Sequence, residues 1–213
     1  MYLKSAAALL IAGSLLLTSC IKNEYYTPEP STVTPTGYQY IFDDNFNYDA
    51  NNWSFSDPGN DAFVNISGGM LNYYYNPPTD GTNTVAVNTG ASLRRDFLIQ
   101  TRIRSDYAMG IAFGVSNNNY GYSLFIDEAG YIALYKEGDA YNGVQTIIDW
   151  KQSPAIGAGW NDVEFEQIGN VWVAYVNDTK IFEVPAEYIS GNKIGFIVLA
   201  GTKGAADYLT VQW

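Results

Sequence analysis

Histidine is absent from the chain, and cysteine occurs once. Without His there is no Ser-His-Asp or Cys-His catalysis, no His-ligated zinc or iron, and no imidazole pH switch. A single Cys closes no intrachain disulfide. Charge is sparse: Asp, Glu, Lys and Arg make up 15% of the residues, against roughly 25% in ordinary soluble domains. The little there is leans one way, with 11 Lys plus Arg against 22 Asp plus Glu, a net charge of −11. Such a surface repels phosphate backbones, so no nucleic acid is expected among the partners. Acidity suits an extracellular or envelope protein without naming a ligand. No stretch after the N-terminal segment is long and apolar enough to span a bilayer.

Apolar material, by contrast, is ample. Hydrophobic residues make up 47% of the 213, and aromatics 15%. That is enough for a core and excludes global disorder. Eighteen Tyr, ten Phe, five Trp and twenty Gly favour strands and turns over helices.

The N-terminus begins with a positive Lys4, continues through an apolar run from Ala6 to Leu17, and reaches Leu17-Thr18-Ser19-Cys20. A charged start, a short apolar segment and small residues before a cut describe a secretory signal peptide. Leu-Thr-Ser-Cys resembles a bacterial lipobox. The resemblance implies removal of residues 1–19 and lipid attachment at Cys20, which would tether a soluble polypeptide to a membrane leaflet. An ordinary signal peptide followed by an incidental Cys is the plainer alternative. Ile21 in place of Asp resembles the sorting pattern of outer-membrane lipoproteins. Lys22-Asn23-Glu24 is a faint match to the acidic surface-export signals of Bacteroidota. Residues 20–37, with Pro28, Pro30 and Pro35 among Thr and Ser, read as a linker. Fully extended, its residues 21–36 reach about 50 Å.

From Tyr38 to Trp213 short apolar-rich segments alternate with turn signals such as Ser67-Gly68-Gly69, Ser116-Asn117-Asn118-Asn119 and Asn177-Asp178-Thr179. About fourteen strands at this spacing predict an all-β sandwich or barrel in a single domain, 38–213. One helical turn is conceivable at Pro185–Tyr188. Phe97, Ile99, Thr101 and Ile103 fall on one face of a strand, and Gln100, Arg102 and Arg104 on the other. Val163 and Phe165 oppose Glu164 and Glu166 in the same way. Period-two alternation buries one face of each sheet, and two such sheets make a sandwich. The strand number suits a two-sheet antiparallel jelly roll.

Several segments together resemble the concanavalin A-like lectin/glucanase sandwich, in particular its laminin-G-like members. They are Phe42-Asp43-Asp44-Asn45-Phe46 with Trp53, Gly110-Ile111-Ala112-Phe113-Gly114, and Tyr120-Gly121-Tyr122-Ser123-Leu124-Phe125-Ile126-Asp127. Trp160-Asn161-Asp162-Val163-Glu164-Phe165, Val173-Ala174-Tyr175-Val176-Asn177, Ile194-Gly195-Phe196 and Asp207-Tyr208-Leu209-Thr210-Val211 follow. The resemblance implies a curved sandwich whose concave sheet often receives carbohydrate. Members include glycosidases, lectins and adhesion modules. The Glu-x-Asp-x-x-Glu strand of the glucanases is missing here, so no catalytic residue carries over. Related sandwiches frequently hold structural calcium, for which Asp43, Asp44 and Asp207 would be the donors. Turn capping by these Asp residues is the favoured reading, and no cofactor is expected.

Glu164 and Glu166, at i and i+2, are the best carboxylate pair, about 6–7 Å apart at the backbone. Glycosidases use two carboxylates, whereas two solvated glutamates on a strand face are the plain alternative. Sugars are read by aromatic faces and polar side chains. The carbohydrate-binding candidates are therefore Gln100, Arg102, Tyr122, Tyr135, Glu164 and Glu166. Gly110, Ala112 and Gly114 form a strip of small residues that lets a ligand, or another piece of the chain, approach the backbone. The expectation is a lipid-anchored envelope protein, outer-membrane in location, whose sandwich binds a glycan without cleaving it. A glycoside hydrolase using paired carboxylates and a protein-binding adhesion module are the rival readings.

Overall fold

The computed structural model describes residues 38–138 and 142–213. The signal peptide, Cys20 and the linker lie outside the described residues. The described chain forms fifteen strands and no helix: β1 (Tyr40–Asp44), β2 (Phe55–Ser56), β3 (Ala62–Ser67), β4 (Met70–Tyr75), β5 (Thr82–Asn88), β6 (Phe97–Ser105), β7 (Ala108–Val115), β8 (Tyr122–Asp127), β9 (Tyr131–Lys136), β10 (Gln145–Gln152), β11 (Asn161–Ile168), β12 (Val171–Val176), β13 (Thr179–Pro185), β14 (Lys193–Leu199) and β15 (Thr202–Gln212). The anticipated turn at Pro185–Tyr188 is not helical. Pro185 ends β13, and the Ala186 amide is held by the Asn170 carbonyl instead.

The strands build two antiparallel sheets. One has nine strands in the order β13-β12-β11-β6-β15-β4-β3-β2, with β1 also paired to β15; the other has six, in the order β10-β9-β8-β7-β14-β5. The long β15 pairs with β6 along one edge. On its other edge it pairs with β4 through Thr202–Ala206 and with β1 through Leu209–Gln212. The protein is thus an all-β, two-sheet antiparallel sandwich.

Alternation decides which side chains meet between the sheets. Phe97, Ile99 and Ile103 of β6 and Val163 and Phe165 of β11 face Ile111 and Phe113 of β7 and Leu124 and Ile126 of β8. Rings dominate the centre. Phe113 and Phe165 have centroids 4.4 Å apart, and Trp172 meets Phe113 edge-on at 5.4 Å. The buried Trp172 indole N–H donates to Gln167 Oε1 at 2.9 Å, so this ring enters the core with its polar atom satisfied. This packing leaves each sheet an outer face, and there the polar and aromatic candidates gather.

Candidate functional site

The six candidates divide among three places. Gln100, Arg102, Glu164 and Glu166 share the outer face of the nine-stranded sheet. Tyr135 lies on the outer face of the six-stranded sheet. Tyr122 is in the core, 3% exposed. Its ring stacks on Phe113 at 5.3 Å, and its hydroxyl donates to the Tyr188 carbonyl at 2.9 Å, with Glu187 Oε2 at 3.3 Å. Burial is the largest cause of its raised pKa. Tyr122 thus presents no ring face to a ligand.

On the nine-stranded sheet, β6 and β11 are direct neighbours, and the register sets Gln100 opposite Glu164 and Arg102 opposite Asp162. Arg102 spends its charge on Asp162 at 3.8 Å, so it does not neutralise the glutamates. The guanidinium carbons of Arg104 and Arg102 stand 4.6 Å and 5.8 Å from the Trp160 ring centroid. Glu166 is 7% exposed and Glu164 half-buried. Burial pushes both carboxyls up. Hydrogen bonding from Gln100 holds Glu164 back, and the Tyr175 hydroxyl does the same for Glu166. Tyr175 and Tyr208 are pushed up to about 12, first by burial and then by the surrounding carboxylates. Gln212 Nε2 donates to Gln100 Oε1 at 2.9 Å.

The outer face of the six-stranded sheet is different in character. Ala112, Val115, Phe125 and Ile197 form a second apolar cluster, separate from the core, with Tyr135, Trp150, Ala86 and Leu199 packed against it. Phe125, Tyr135 and Trp150 meet one another with centroids 6.2–6.5 Å apart. Part of this face is therefore filled by its own rings, and Phe125 is only 2% exposed. An open cleft of about 270 Å³ remains beside them, lined by Tyr107, Ala108, Asp127, Tyr131, Trp150 and Leu199. Asp127 Oδ1 accepts the Tyr131 amide at 2.7 Å, which fixes the carboxylate at the tight β8–β9 turn. Tyr107, 47% exposed, projects beside the cleft.

The strip of small residues is explained by the chain itself. A Cβ on Gly110 would stand 1.8 Å from the Leu124 carbonyl oxygen of β8. Gly114 adopts φ +62°, and a Cβ there would meet the Ile189 side chain at 2.5 Å. Close approach of neighbouring segments, not of a ligand, demands these glycines.

The Asp44 carboxylate is engaged within the chain. It accepts from the Phe46 amide at 2.9 Å, Asn51 Nδ2 at 2.7 Å and the buried Trp53 indole at 2.8 Å. Among the described residues no three His, Cys, Asp or Glu side chains gather as a metal-holding group.

Sequence reading missed the cleft residues Tyr107, Tyr131 and Asp127. Alternation of Tyr131, Ala133 and Tyr135 was the available signal, since it puts two tyrosines on one face of β9.

No protein-family model and no curated protein matches the chain. Solved structures do. The chain is similar to the carbohydrate binding module CBM66 from Bacillus subtilis, with a TM-score of 0.50 and 13% identity over 83% of this chain and 96% of that one. It is similar to the CBM2 module of the evolved Dit of Lactobacillus casei BL23 phage J-1, with a TM-score of 0.51 and 13% identity over 83% and 96%. A GlcNAcα1-4Gal-releasing endo-β-galactosidase from Clostridium perfringens gives a TM-score of 0.52 and 13% identity over 83% and 63%. At such identities the likeness establishes the architecture, a jelly-roll sandwich shared with these three proteins.

Proposed function

We propose that the protein is a lipid-anchored envelope component whose sandwich binds carbohydrate without cleaving it. One observation carries the reading: Tyr107, Tyr131 and Trp150 converge with Asp127 around an open cleft on an outer sheet face. Aromatic rings offer faces for the C–H side of a sugar, and a fixed carboxylate accepts from its hydroxyls. Tyr135 supports the site by packing against Trp150. Among the similar structures one is by name a carbohydrate binding module and another an endo-β-galactosidase, which favours a saccharide as the ligand class.

Affinity electrophoresis through gels of neutral glucans, galactans and fructans tests this. The protein should be retarded by at least one of them, and Trp150→Ala should weaken that retardation about tenfold, the loss expected when a stacking ring worth about 1.4 kcal/mol goes. Equal retardation of the variant would overturn the assignment.

Binding is favoured over hydrolysis because the Glu-x-Asp-x-x-Glu strand of the glucanases is missing, and Glu164 and Glu166 are engaged by Gln100 and Tyr175. A glycosidase needs its two carboxyls flanking the scissile bond. The double variant Glu164→Gln, Glu166→Gln checks this, since any hydrolysis by the wild type that the variant loses would restore the enzyme reading. The lipobox sequence supports anchoring at Cys20, and Ile21 after it supports the outer membrane as the destination. Mass spectrometry of the Cys20 peptide should find diacylglycerol, and Cys20→Ser should release the protein from membranes.

A further inference from the structure

The outer face of the nine-stranded sheet is not used by the aromatic cleft, which belongs to the opposite sheet. Antiparallel register lines up one row across it: Thr210 of β15, Gln100 of β6, Glu164 of β11, Tyr175 of β12 and Lys180 of β13. One step along, Gln212, Leu98, Glu166 and Val173 form a second row. From Thr210 to Tyr175 the row crosses three strand spacings, about 14 Å.

Two observations show that the polar groups of this face are incompletely satisfied from within. Thr210 Oγ1 is buried with no hydrogen-bond partner, in a residue 9% exposed. Leu209 and Val211 on either side of it turn into the core, so the Thr210 hydroxyl belongs to the outer face. Among the described residues neither glutamate forms an ion pair, although the Lys180 charge acts on Glu166 from a distance. Lys180 Nζ bonds Glu183 at 2.6 Å, and Arg102 pairs with Asp162. Buried polar groups are almost always paired, and an exception asks for a missing partner.

We infer that this face is a second saccharide-binding surface, taking a short, neutral oligosaccharide segment along the row of Thr210, Gln100, Glu164 and Tyr175, with Glu166 and Tyr208 beside it. The polar inventory selects the ligand. The carboxylates only accept, while the Thr and Tyr hydroxyls both donate and accept. A row of sugar hydroxyls, each able to do both, matches that mixture. An ammonium, which only donates, would leave the Thr210 proton without an acceptor. The inference rests on the saccharide reading above for its ligand class but uses none of the same residues. The two surfaces face away from each other, so one domain would hold two glycan segments and gain avidity on a polymer.

Isothermal titration of the protein with neutral gluco-, galacto- and fructo-tetrasaccharides tests it, with a chitosan tetramer as the amine-bearing control. Two equivalents are expected for at least one neutral tetrasaccharide. Thr210→Val and Glu166→Gln should each reduce them to one, as should Trp150→Ala, with melting temperatures showing that each variant is folded. One equivalent in the wild type, lost in Trp150→Ala and untouched by Thr210→Val and Glu166→Gln, overturns this inference and leaves the cleft. The opposite pattern upholds this surface and removes the cleft. Titration by the chitosan tetramer alone overturns the neutral ligand, and no binding by any neutral probe overturns both readings.

Discussion

Asp44 and Glu166 are both buried carboxylates, and their surroundings give them opposite energetic roles. Asp44 meets three donors, one of them an indole N–H with no access to water. Asp44→Asn would turn one acceptor into a donor facing donors. It is expected to cost about 2–3 kcal/mol, read from urea denaturation midpoints. Glu166 is desolvated beside Glu164, and its pKa is raised, first by burial. A raised carboxyl binds its proton more tightly in the folded state than in the unfolded one. Its contribution is therefore fully favourable below the unfolded pKa and is lost as pH rises through the folded value. Glu164 acts in the same direction. Glu166→Gln can still accept from Tyr175 and carries no charge. Its stability relative to wild type should accordingly climb as pH rises above about 4, the ordinary carboxylate value. Parallel pH-dependent curves for the two proteins would contradict this.

At the scale of the element, steric demands between strands matter as much as side-chain pattern. Gly110→Ala puts a methyl group against the Leu124 carbonyl, which is backbone and cannot swing aside. The β7–β8 pairing must open, and a loss of at least about 3 kcal/mol, or failure to fold, is expected in a chemical melt. The strands themselves were largely legible. Met70–Tyr75, Tyr131–Lys136 and Val171–Val176 are each flanked by Gly- or Asn-containing turn segments that mark their ends in the sequence. Alternation correctly put Gln100 and Arg102 with Glu164 and Glu166 on outer faces, since β6 and β11 each have one apolar and one polar side. It could not place Tyr122 against Tyr135. β8 reads Tyr-Ser-Leu-Phe-Ile-Asp and is buried on both faces through Ile126, so no polar side marks its orientation. The two-residue β2 offers too short a pattern to read. The first half of β15, with Lys203-Gly204-Ala205-Ala206, lacks the branched and aromatic residues that announce a strand.

For the whole molecule the governing quantity is the net charge of −11. A neutral glycan held by rings and hydroxyl contacts gains nothing from that field. Its retardation in affinity gels should stay constant as salt rises from about 0.05 to about 0.5 M, where the screening length shrinks severalfold. Binding that collapses with added salt would point instead to ion pairing with a charged polymer. The division of the candidate residues between two outer faces was not legible from sequence. Which of several outward-facing aromatics gather into one cleft depends on strand order, and the order β10-β9-β8-β7-β14-β5 brings Trp150 and Leu199 to the same cleft from segments far apart in the chain.

β15 has a consequence for how the protein is made. It is synthesised after the other fourteen strands, yet it lies in the interior of the larger sheet, between β6 on one side and β4 and β1 on the other. Until it leaves the ribosome, β6 and β4 lack the strand that joins them. Closure of the larger sheet therefore waits for β15.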